Sequence, residues 1–189
     1  MKRRSFQILS VLLALLLALT ACSAPAARLT EEEIEVLRER YPLCGYPELV
    51  EVMYVPIEEI IERADTFVYG EIIGEAEPDH SAIWERFQYT LTVIEDSERL
   101  FEKGEQVTLI SDVMLRSIIP EFKDGMRAVV AYTPETGNKN SALFMLWSVF
   151  YVTEDGYVLS SFDENKMGSE LILSGMRVED ALAAVKKNK

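Results

Sequence analysis

Apolar and polar positions change their period several times along this 189-residue chain. The first run is continuous. Ile8 to Leu19 is apolar except for Ser10, it follows Lys2, Arg3 and Arg4, and short residues come after it. That pattern predicts a secretory signal peptide over residues 1–21. The run falls short of the ~20 residues a spanning helix needs, so a permanent transmembrane anchor is the weaker reading. Thr30-Glu31-Glu32-Glu33 then has the form of a capping box. It predicts a helix with Ile34, Leu37 and Tyr41 on one side, ended by Pro42. Ile57, Ile60, Ile61 and Ala64 fall at i, i+3, i+4 and i+7 and predict a second helix, stopped at Asp65. Residues 47–56 between the two fit an extended segment on either face.

After Asp65 the period becomes two. Thr66 to Gly74 is rich in β-formers (Phe67, Val68, Tyr69, Ile72, Ile73) and predicts a strand, with a loop around Pro78. From Trp84 to Ile94, Phe87, Tyr89, Leu91 and Val93 point one way and Gln88, Thr90 and Thr92 the other, the pattern of a half-buried strand. Lys103-Gly104-Glu105 predicts a turn into a strand over 106–110. Met114 to Ile119 is apolar and of undecided type. Asp124-Gly125 predicts another turn. Met126 to Thr133 is apolar on both faces and therefore expected to be central in its sheet. Pro134 to Asn140 reads as a polar loop. Ala142 to Thr153 is apolar again and meets Val158 through Asp155-Gly156, a strong hairpin signal. Val178, Ala181, Leu182 and Val185 predict a C-terminal helix over about 177–187. Its acids (Glu179, Asp180) come first and its lysines (Lys186, Lys187) last, as the helix dipole favours.

About six closely spaced strands, with helices only at the ends, do not make a βαβ sheet. They fit a mainly β, α+β domain: a small antiparallel barrel or curled sheet. The N-terminal and C-terminal helices are expected to pack on it, over an open edge or a barrel end. The expected organisation is residues 1–21 as signal peptide, 22–29 as tether and 30–189 as one globular domain with its β core at about 66–173.

Charge narrows the partners. Residues 1–21 hold three basic and no acidic side chains, so their removal takes the formal charge from −13 to −16. Such a surface repels nucleic acid and anionic membrane faces. No nucleic-acid partner is expected, and no basic patch serves as membrane attachment. The only cysteines are Cys22 and Cys44.

Leu19-Thr20-Ala21-Cys22 resembles the bacterial lipoprotein lipobox at every position. The resemblance implies cleavage between Ala21 and Cys22 and a diacylglyceryl thioether on Cys22. A thiolate is a good nucleophile for that transfer, and two acyl chains anchor stably where one does not. An ordinary secretory signal, with Cys22 incidental, is the competing reading. On the lipoprotein reading the chain sits on the extracytoplasmic face of the cell membrane through the Cys22 lipid. Cys44 then has no disulfide partner.

Further markers are Ala64-Asp65, Tyr89-Thr90-Leu91-Thr92-Val93, Lys103-Gly104, Gly125 before an apolar strand, Asp155-Gly156 and Gly175-Met176-Arg177-Val178-Glu179. Together, over Ile57 to Val185, they resemble a group of uncharacterised exported lipoproteins of Gram-positive bacteria. The resemblance implies a single OB-like barrel, the general shape also used by the inhibitor domain of tissue metalloproteinase inhibitors. Arg177 departs from the Thr or Ser that caps the last helix in similar chains.

Candidate chemistry is sparse. His80 is the only histidine, so no multi-histidine metal site forms, and no serine lies in a Gly-x-Ser-x-Gly elbow. No catalytic residue, metal ligand or cofactor is assigned. Cys44 reads first as a half-buried residue of a turn and second as a reactive thiol. Glu31-Glu32-Glu33 and Glu58-Glu59 sit where helix first turns favour acids. Asp163-Glu164-Asn165 lacks EF-hand spacing and reads as a solvated turn. Phe67, Tyr69, Phe87, Tyr89, Trp147, Phe150 and Tyr151 read first as core and second as a ligand groove. The expected role is non-enzymatic binding of an envelope protein or peptide. The alternative is an envelope hydrolase that uses acids assembled by the fold.

Overall fold

A computed structural model describes residues 28–44, 54–79, 86–112, 119–143 and 147–189. Among the described residues there are three helices: α1 (Glu31–Leu37), α2 (Ile57–Arg63) and α3 (Val178–Asn188). Eight strands follow the chain as β1 (Thr66–Asp79), β2 (Arg86–Asp96), β3 (Gln106–Asp112), β4 (Arg127–Tyr132), β5 (Pro134–Glu135), β6 (Asn138–Leu143), β7 (Val149–Val152) and β8 (Val158–Ser160). They form one curled sheet in the order β5-β6-β3-β2-β1-β4-β7-β8. The domain is thus mainly β, with the curled, OB-like arrangement expected.

Two features curl the sheet. The first is a bulge at Tyr69/Gly70, where β1 changes register against β2. A Cβ on Gly70 would lie 2.5 Å from the Thr92 carbonyl oxygen, so only glycine allows this close crossing. The second is a long hairpin. Only Thr133 separates β4 from β5; β4 pairs with β7 and β5 with β6, both antiparallel. Pro134 comes four positions after Val130, whereas their partners Ala142 and Val149 are seven apart. At the hairpin tip β6 runs parallel to β3, with Leu109 opposite Ala142. The Tyr132 hydroxyl pins the tip by donating to the Lys139 carbonyl at 3.1 Å.

The curl creates two cores. Inside lie Val68, Ile72, Phe87, Tyr89, Leu91, Val93, Val107, Leu109, Val130 and Tyr132. The second core covers the outer face of β1, β4 and β7. There Phe67, Val129, Ala131 and Phe150 meet α2, α3 and the 162–173 segment. A smaller cluster joins α1 to β7 and β8 through Tyr41, Tyr151 and Leu159.

Several expectations need correction. Pro78 does not lie in a loop: β1 continues to Asp79, paired with β2. β4 pairs only residues 66–71 of β1, so the missing Pro78 N–H disrupts no second ladder. Pro134 to Asn140 is not a loop either; its polar residues build β5, a turn and β6 at the exposed hairpin tip. The C-terminal helix lies on the sheet's outer face rather than on an edge or barrel end. The Thr30 capping box forms, with Glu33 N–H to Thr30 Oγ1 at 3.3 Å and Thr30 N–H to Glu33 Oε2 at 2.8 Å. Arg177 provides no side-chain cap to α3. Among the described residues, no helix is long and apolar enough to cross a membrane.

Candidate functional site

Where β4 begins and β7 ends, the sheet meets the turn after α1 and the 121–126 turn. Between them lies an open groove of about 660 Å³. Its floor is Tyr41, Met126, Tyr151 and Val152. Arg40, Lys123 and Arg127 bring positive charge; Glu39, Glu121, Asp124 and Glu154 bring negative charge. The floor follows from packing: Tyr41 and Tyr151 are buried, with ring centroids 5.5 Å apart, and the Tyr151 hydroxyl donates to the Pro42 carbonyl at 3.1 Å.

Some of these charges have partners. Arg40 Nη2 lies 2.7 Å from Glu154 Oε1 and holds that carboxyl below the usual carboxylate range. Asp124 Oδ1 accepts the Gly74 N–H at 2.6 Å. Arg127 differs. Its only side-chain hydrogen bond within the described structure is a long one, 3.5 Å from Nη1 to the Tyr69 hydroxyl. None of the ion pairs among the described residues includes Arg127 or Lys123. The Tyr69 phenol, then Glu71 and Tyr41, hold the Arg127 guanidinium above its ordinary value.

A second hollow of about 620 Å³ lies where the chain enters the fold. Its polar side chains support backbone. Arg28 Nη2 donates to the Ile172 and Ser174 carbonyls at 2.7 and 2.9 Å, and the Leu29 N–H reaches the Gly175 carbonyl at 2.9 Å. Arg38 Nη1 donates to the Ser160 carbonyl at 2.7 Å. Glu164 corrects the solvated-turn expectation. It is 6% exposed, and its carboxylate accepts the Leu173 and Ser174 N–H groups at 2.7 and 3.2 Å. Burial raises its pKa above the ordinary carboxyl value despite those bonds.

The other predicted residues fall into place simply. Ala21, Cys22 and His80 lie outside the described residues. Cys44 is half-buried; burial pushes its thiol up to about 11, while Ser161, Tyr151 and Arg38 oppose that rise. Glu33 completes the α1 cap, Glu59 pairs with Arg63, and Glu58 accepts the Glu170 and Leu171 N–H groups. Among the described residues no cluster of three His, Cys, Asp or Glu could hold a metal. All seven aromatics are buried, and of these only Tyr151 lines the groove. Sequence reasoning missed Lys123 and Arg127. The available signal was Arg127 itself, a lone charge opening an otherwise apolar strand.

These features define an OB-like barrel with an external helical core and a mixed-charge groove. The chain matches no family model and no curated protein.

Proposed function

We propose that this protein is a lipid-anchored binding module of the cell envelope, held by Cys22 on the extracytoplasmic face, and that its groove receives a protein or peptide partner. The anchor rests on the basic start, the apolar run and Leu19-Thr20-Ala21-Cys22. Residues 22–27 would span at most about 20 Å from the lipid to Arg28, so the domain stays close to the membrane surface.

The observation that carries the binding reading is the groove: a concave floor of aromatic and apolar side chains with charges of both signs around it. A hydrolase that protonates its leaving group from one of these acids needs that carboxyl held protonated near neutrality. Arg40 instead favours the ionised form of Glu154. Glu164, the carboxyl that burial raises, is committed to backbone N–H groups outside the groove.

Metabolic labelling with a fatty-acid probe tests the anchor. The natural chain takes up label and Cys22→Ala does not. Label retained in that variant refutes lipidation at Cys22. Crosslinking in intact cells tests the binding role: a reproducible partner is expected, and recovery of none contradicts it.

A further inference from the structure

We infer that Arg127 and Lys123 form a carboxylate subsite of the groove, so that the partner is engaged through a peptide's free carboxylate. This rests on the groove being the binding face and names the chemistry it reads.

A guanidinium has five N–H donors in a planar fork. Arg127 uses one of them, on the Tyr69 hydroxyl at 3.5 Å. Its strand position sets it opposite Glu71 on β1 and Val152 on β7, yet no carboxylate lies within ion-pair distance in the described structure. Arg38 and Arg28, by contrast, close their forks on backbone carbonyls. Arg127 stands at a concave surface with its fork largely open. Lys123 lines the same groove without an ion pair.

The surroundings select the class of anion. A carboxylate presents two coplanar oxygens that match the guanidinium fork. Phosphate brings more charge toward Glu39, Glu121, Asp124 and Glu154, which line the same groove, and toward an acidic protein. The floor of Tyr41, Met126, Tyr151 and Val152 offers apolar contact to a small aliphatic side chain beside the carboxylate. The acids of the rim suit the N–H groups of the peptide body.

The test uses the full-length chain in non-ionic detergent and saturation-transfer NMR. The probes are N-acetyl-dialanine with a free carboxylate, its carboxamide, and inorganic phosphate as competitor. The free acid is expected to bind, with at least a tenfold weaker dissociation constant for the carboxamide. Arg127→Gln weakens the acid at least tenfold, Lys123→Gln by about threefold, and Arg127→Lys falls between natural chain and Arg127→Gln. Arg63→Gln, whose guanidinium is paired with Glu59 on α2 outside the groove, changes affinity less than twofold. The acid–carboxamide comparison needs no variant, so a misfolded Arg127→Gln does not blunt it.

Equal binding of acid and carboxamide overturns the carboxylate subsite and leaves the groove reading standing. Displacement by phosphate at equal concentration overturns the choice of carboxylate. Saturation transfer to neither peptide overturns the inference, whereas the groove reading itself falls if crosslinkers placed in the groove capture nothing in cells or capture only what a crosslinker outside the groove also captures.

Discussion

The two large cores of this domain share strands but not rules. The barrel interior is built from alternate residues of β1, β2, β3 and β4, and its period-two pattern is visible in the chain. The outer core is built from the opposite faces of β1, β4 and β7, closed by two helices and the irregular 162–173 segment. The contrast explains why β1 and β4 are apolar on both faces: each serves two cores at once. Disturbing either core should therefore unfold both.

The largest expected effects come from emptying one core at a time. Phe162→Ala, in the outer core, should cost about 3–5 kcal/mol, and Leu91→Ala, in the barrel, about 2–5 kcal/mol. Denaturant unfolding followed by tryptophan fluorescence and by circular dichroism should give one coincident transition for each variant. Two separated transitions in either would show that the cores fold independently.

Next comes Gly70→Ala. The new Cβ meets the Thr92 carbonyl and the Leu91 side chain where the strands cross. A loss of roughly 1–3 kcal/mol is expected. A neutral effect in thermal unfolding would show that the curl does not need this glycine.

Glu164 tests the outer core's dependence on one polar anchor. Glu164→Ala leaves the Leu173 and Ser174 N–H groups without their acceptor and should cost about 1–3 kcal/mol. Its titration has a definite sign. The folded-state pKa stands above the ordinary 4.5, because burial disfavours the ionised form. Its contribution is therefore greatest below about pH 4.5 and declines as pH rises through the folded pKa. Glu164→Gln should remove that part of the slope from a stability–pH curve; an unchanged slope contradicts the assignment.

The last effect is chemical and leaves the fold's stability aside. With its thiol raised from 9.0 to about 11, Cys44 should alkylate roughly 100-fold more slowly near neutrality than an ordinary thiol. Iodoacetamide kinetics measured on Cys22→Ala isolate Cys44. A rate equal to that of a free thiol would mean that it is not shielded.

Much of the barrel was legible in the sequence, and little of the site was. Phe87, Tyr89, Leu91 and Val93 announced their strand because alternate burial leaves a two-residue period. Thr30 and Glu33 announced α1 because a capping box is local. The β5–β6 tip was hidden: its residues are polar because the tip is exposed, and pairing with β3 is a long-range event. Glu164 looked solvated because a charged triplet usually is; only Leu173 and Ser174, far along the chain, make it an internal acceptor. The groove joins Tyr41, Lys123, Arg127 and Tyr151, whose meeting depends on the curl of the whole sheet.

The central claim is that this groove is where the protein meets its partner. The most direct measurement is site-specific photocrosslinking in intact cells, with the crosslinker at Lys123 in the groove or at Glu179, an exposed position of α3. The account predicts one reproducible adduct from position 123 and none from position 179. The same adduct from both positions, or none from position 123, would contradict it.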